Sequence, residues 1–111
     1  MDRIEFEKLS KKFLTQFFSL AEDHYKLDTK GLKIDHICWR CASQKDYEDM
    51  VSKLLTMGSL FHKNIHNGRF ITLILLNKAI RFRNHQINLI ELPAPKMEKN
   101  FPNGFEHAEF V

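Results

Sequence analysis

Asn67-Gly68 lies between two strand-like runs, Leu60 to His66 and Arg69 to Leu76. Both residues tolerate positive φ, as a two-residue hairpin turn requires, so the dipeptide commits the middle of the chain to antiparallel β structure. Asn84 to Leu92 reads as another strand. Pro93-Ala94-Pro95 ends it, because proline cannot continue a ladder. Residues 94 to 104 are polar and loop-like, and residues 105 to 111 read as a last strand.

Upstream of the hairpin, residues 32 to 40 form a strand carrying Leu32, Ile34, Ile37, Cys38 and Trp39. Ser43 is the expected N-cap of a helix, with Asp46 at its third position as a weaker capping-box partner. Tyr47, Met50, Val51, Leu54 and Leu55 give that helix its apolar stripe, and Gly58 lies where C-terminal glycines belong. Residues 4 to 25 read as a long amphipathic helix. Ile4, Leu9, Phe13, Phe17, Leu20 and Ala21 recur at helical spacing, and Phe6, Leu14 and Phe18 widen the face. Lys30-Gly31 breaks the pattern. The order is helix, then β-α-β-β-β, then a loop and a final strand, an α+β arrangement. A strand closing on Phe110-Val111 with no exit loop is expected to be a unit cut before its pairing partners, the alternative being a genuine C-terminal edge strand.

With 111 residues the chain has room for a single domain. Its 43% hydrophobic and 28% charged content excludes a disordered or fibrous chain. No apolar run approaches the roughly 20 residues of a membrane helix. The charged start, Met1-Asp2-Arg3-Ile4-Glu5, has no apolar core of a secretory signal, so the expectation is a cytoplasmic protein without a membrane partner. The net charge of +3 is mild, and acids are scattered between the basic points Lys11-Lys12 and Arg81 to Arg83, so nucleic acid is not an expected partner. Cys38 and Cys41, three apart on or near one strand, are not expected to form a disulfide. The six histidines are the unusual number and make metal binding worth testing.

Three ionisable residues sit inside apolar strands: His36 in Ile34-Asp35-His36-Ile37, Glu91 in Leu89-Ile90-Glu91-Leu92, and His107 in Phe105-Glu106-His107-Ala108. Strand parity groups His36 with Ile34 and Cys38, Glu91 with Ile87 and Leu89, and His107 with Phe105 and Glu109. Should those faces converge, two imidazoles and a carboxylate meet, a set suited to zinc, nickel, cobalt, iron or manganese. The residues alone leave the plainer alternative open, since strand histidines are more often hydrogen-bonded structural groups and strand glutamates more often face water. Arg40 shares the His36 parity and is a candidate for binding an anionic substrate group, against an exposed strand-end arginine. Asp35 is out of parity with His36. His62, His66 and His85 read as solvated or locally bonded, and His24 closes the first helix, where a cation suits the dipole.

Four segments, Asp35-His36-Ile37-Cys38-Trp39-Arg40-Cys41, Asn67-Gly68-Arg69, Ile90-Glu91-Leu92-Pro93-Ala94-Pro95 and Gly104-Phe105-Glu106-His107-Ala108-Glu109, resemble the YecM family. That family is similar to the vicinal oxygen chelate superfamily of glyoxalases, extradiol dioxygenases and methylmalonyl-CoA epimerase. The resemblance implies a βαβββ module over residues 32 to 92, with residues 105 to 111 as the first strand of a second, truncated module. It also implies a metal cup with His36, Glu91 and His107 as ligands and a fourth ligand beyond Val111. The implied activity is Lewis-acid chemistry on two neighbouring oxygens of a small substrate, with Glu91 as the ligand able to act as general base. Rival expectations are a binding or interaction module without catalysis, and an inactive remnant. Two copies could also associate as a homodimer that completes the sheet.

Overall fold

The computed structural model describes residues 1–96 and 101–110. Residues 97–100 of the expected loop, and Val111 of the expected last strand, lie outside the described residues.

Helix α1 spans Arg3–Ser19. It starts where the Asp2 carboxylate accepts the Glu5 N–H at 2.9 Å, supplying one of the donors a helix start leaves unpaired. Its buried stripe is Phe6, Ser10, Leu14 and Phe18, four apart in sequence. The Ser10 hydroxyl is satisfied in the interior by donating to the Phe6 carbonyl at 2.8 Å. Of the expected face, Ala21 is buried, but Ile4 and Leu20 are more than half exposed, which corrects those two positions. Leu9, Phe13 and Phe17 pack at the margin instead. The helix continues as a wider π turn over Leu20–His24, so the sequence-expected end near residue 25 holds although the winding changes. Arg83 donates to both Glu22 oxygens, at 3.1 and 3.0 Å, and holds that carboxyl below its usual range.

Strand β1 is Ile34–Arg40, helix α2 is Gln44–Leu55, and strands β2 and β3 are Gly58–His66 and Arg69–Phe82. Strand β4 is His85–Pro93 and β5 is Gly104–Phe110. The Ser43 hydroxyl caps α2 by accepting the Asp46 N–H at 3.0 Å. Asn67 and Gly68 have φ of 52° and 78°, the left-handed pair expected of the hairpin turn. Gly58 answers to a different need from a helix cap. It is the first residue of β2, and a Cβ there would meet the Leu75 carbonyl oxygen at 2.2 Å. The β3 strand runs past Leu76, where the sequence reading stopped, through an irregularity between Leu75 and Ile80. Arg3 donates to the carbonyls of Lys78 and Ala79, which ties the start of α1 to that irregular stretch.

The five strands form one sheet in the order β2-β3-β4-β1-β5. Its centre is the parallel pair of β1 and β4, which needs a crossover, and α2 with the β2–β3 hairpin provides it. All other pairings are antiparallel. Both helices lie on one face. Ile37, Ile74, Ile90 and Leu92, all fully buried, meet Phe6, Leu14, Phe18 and Leu54 there in a single apolar cluster. The Tyr47 hydroxyl and the Thr72 hydroxyl bond to each other inside it. Cys41 is also in this cluster, and burial pushes its thiol up to about 11. Among the described residues no helix is long and apolar enough to cross a membrane.

Candidate metal centre

The opposite face of the sheet carries the ionisable residues. Directly paired residues of neighbouring strands project to the same side of a sheet. Cys38 pairs with Glu91 of β4 on one side and with His107 of β5 on the other. His36, two residues before Cys38, pairs with Glu109. Neither His36, Cys38, Glu91 nor His107 belongs to the helix-side cluster.

Two irregularities put them there. Between Cys38 and Trp39 strand β5 advances two residues for one of β1, leaving Glu106 as the extra residue. The consequence corrects the parity reading. Phe105 turns to the helix side, where it stacks on Phe13 at 5.2 Å and packs against Phe6 and Trp39, while His107 faces the other way. Between Ile34 and His36 the extra residue is Asp35, in β1. The β4 parity changes too, since Ile87 is fully buried in the core cluster that Glu91 does not join.

The candidate ligands come together. One ligand atom from each of His36, Glu91 and His107 lies within 4.8 Å of the others. The Glu91 oxygens lie 3.4 Å from His36 Nε2 and 4.0 Å from His107 Nε2. The two imidazole rings are 6.3 Å apart, centre to centre, and nearly perpendicular. The His36 side chain is only 10% exposed, and His107 sits toward solvent at 39%. A second group, Cys38, Glu106 and His107, satisfies the same spacing and shares His107. Burial pushes the Cys38 thiol far above its ordinary range, and the adjacent Glu91 charge adds to that. Cys38 is therefore a protonated thiol at neutral pH.

His36 is the most constrained of the set. Its Nδ1 lies 2.9 Å from the Asp35 carboxylate, and its Nε2 is buried with no hydrogen-bond partner. A carboxylate on Nδ1 favours the tautomer with the proton on that nitrogen and leaves Nε2 with a free lone pair. Sequence reasoning set Asp35 aside on parity, and the bulge that brings it beside His36 left no signal in the composition.

Arg40 stands apart from the three. Its Nε donates to the Pro102 carbonyl at 3.2 Å, and its guanidinium lies 4.7 Å over the Phe101 ring. With Arg69 and Glu106 it lines a cavity of about 60 Å³. Glu106 thus touches both that cavity and the Cys38–His107 donor group. A larger recess of about 510 Å³ opens between the two helices, with Phe13, Trp39 and Met50 in its walls, and none of the three candidate ligands reaches it. His62 and His66 are exposed on β2, and His85 stacks on Phe18 at 5.3 Å.

The family model described as YecM protein matches residues 5–111. Over 85 residues the chain is 39% identical to an uncharacterized protein of Haemophilus influenzae. Over 86 residues it is 35% identical to Protein YecM of Escherichia coli (strain K12). Each match covers 77% of this chain but only 44% and 45% of the relative, so the chain spans less than half the length of these curated relatives. A solved structure described as Structural Genomics, Protein EC4020 superposes with a TM-score of 0.84 at 24% identity, over 99% of this chain and 60% of that one. At that identity the likeness speaks for the fold alone.

Proposed function

The chain belongs to the YecM family, and from that membership and the geometry above we propose that it binds a divalent transition metal through His36, Glu91 and His107. The finer fold reading goes with the proposal: β1-α2-β2-β3-β4 is a βαβββ unit of vicinal-oxygen-chelate type, and β5 opens a second one.

The observation that carries the reading is His36. A buried imidazole nitrogen without a partner costs about 1–3 kcal/mol in a fold that could have used an apolar residue. Such a group is explained when it serves as a donor. Two imidazoles and a carboxylate suit zinc, nickel, cobalt, iron or manganese, and three protein ligands leave positions open. A metal held there would supply Lewis acidity toward two neighbouring oxygens of a small substrate. The chain's own residues do the rest. Asp35 fixes the His36 ring so that Nε2 faces the centre. Glu91 is the carboxylate among the three, able to take a proton from a bound substrate at one oxygen. Arg40, with Arg69 beside it on the small cavity, suits an anionic substituent of that substrate.

The test is calorimetric titration of zinc and manganese into the wild type, His36→Ala, His107→Ala and His62→Ala, with circular dichroism to establish folding. We expect the first two variants to lose affinity by roughly a hundredfold or more and His62→Ala to match the wild type. Equal affinity across the four proteins would sink the assignment.

A further inference from the structure

A second carboxylate addresses the same two imidazole nitrogens. One Glu109 oxygen lies 3.7 Å from His36 Nε2, and the other oxygen lies 3.6 Å from His107 Nε2. Glu91 approaches the same two atoms at 3.4 and 4.0 Å. The two glutamates come from the strands on either side of β1, so they bracket the nitrogens from β4 and from β5. The bulge at Asp35 is what sets this up, because it brings Glu109 opposite His36.

These separations are too long for good hydrogen bonds, and His36 Nε2 is indeed unpartnered. They are close to the spacing of donors around a central ion. With metal–ligand bonds of about 2.1 Å, neighbouring donors of a tetrahedron lie about 3.4 Å apart. Among the described residues, Glu91 and Glu109 have ion-pair contacts only to the two histidines, and to no lysine or arginine. A single ion placed between the two imidazole nitrogens would have a carboxylate on either side, from β4 and from β5.

We propose that Glu109 is a fourth protein ligand of the metal, closing the site on its solvent side. The proposal rests on the reading that His36, Glu91 and His107 hold a divalent ion. It supplies within this chain a donor that the superfamily resemblance would put beyond Val111. Glu109 is 59% exposed where Glu91 is 22% exposed, so Glu109 is the carboxylate that an incoming oxygen ligand can displace. Two carboxylates with two imidazoles favour borderline ions such as manganese, iron, cobalt or zinc over soft, thiolate-seeking ones.

Cobalt(II) is the probe, because its visible absorption reports the number and type of ligands as well as occupancy. The full chain, Glu109→Gln, Glu91→Gln and His36→Ala would each be titrated with cobalt chloride, with circular dichroism as the control for folding. Glu109 is half-exposed on an edge strand, so Glu109→Gln is expected to fold. We expect it to bind cobalt roughly tenfold to a hundredfold more weakly than the wild type and to shift the visible band. Wild-type affinity and an unchanged band in Glu109→Gln, with binding lost in His36→Ala and Glu91→Gln, would overturn the fourth ligand and leave the three-residue site standing. A wild type that takes up no cobalt would overturn both.

Discussion

On the helix-covered face of the sheet, Ile37, Ile74, Ile90 and Leu92 are fully buried among aromatic and aliphatic neighbours, and the hydroxyls in that interior have partners. On the opposite face, one strand position away, His36 is almost as deeply buried with a nitrogen that has none. The same β1 strand serves both faces, with Ile37 and Trp39 on one and His36 and Cys38 on the other. Apolar area removed from water stabilises the first face. The second keeps a buried imidazole nitrogen without a partner, a cost that an apolar residue at the same position would avoid.

That contrast can be broken by substitution. Phe6 is fully buried and contacts Trp39 and Phe105, so Phe6→Ala should destabilise the chain by about 3–5 kcal/mol in urea unfolding. Metal affinity of its folded fraction should not change. His36→Leu should do the reverse. Removing the unpartnered nitrogen is expected to leave the metal-free protein as stable as the wild type or up to about 3 kcal/mol more stable, with metal uptake lost. A large loss of stability in His36→Leu without metal would mean that His36 is a structural residue and that the two faces are alike. The smallest effect sharpens the comparison within the covered face. Tyr47→Phe strands the Thr72 hydroxyl in the interior and should cost about 1–2 kcal/mol, read as a lower urea midpoint with an unchanged slope.

Elements with a local cause were legible in the sequence. The Asn67-Gly68 turn and the Ser43 cap depend on a few adjacent residues, and both form as read. The buried stripe of α1 was less so, because ten phenylalanines and several leucines offer more than one apolar face, and docking on the sheet selects Phe6, Leu14 and Phe18. The bulges were not legible. An extra residue at Asp35 or Glu106 has no composition of its own and arises from how β1 and β5 fit together. The slip at Glu106 separates Phe105 from His107, and the slip at Asp35 brings that residue beside His36 and sets Glu109 opposite it. His36, Glu91 and His107 were named through family wording and strand position, whereas Asp35 and Glu109 needed the register.

The most direct measurement is metal content per chain after equilibration with zinc, manganese or cobalt and removal of free ion, read by elemental mass spectrometry on tag-free protein. The account predicts about one tightly held dication per wild-type chain and none in His36→Ala. Folded wild-type protein that retains none of the three ions, or a His36→Ala variant that retains as much as the wild type, would contradict it.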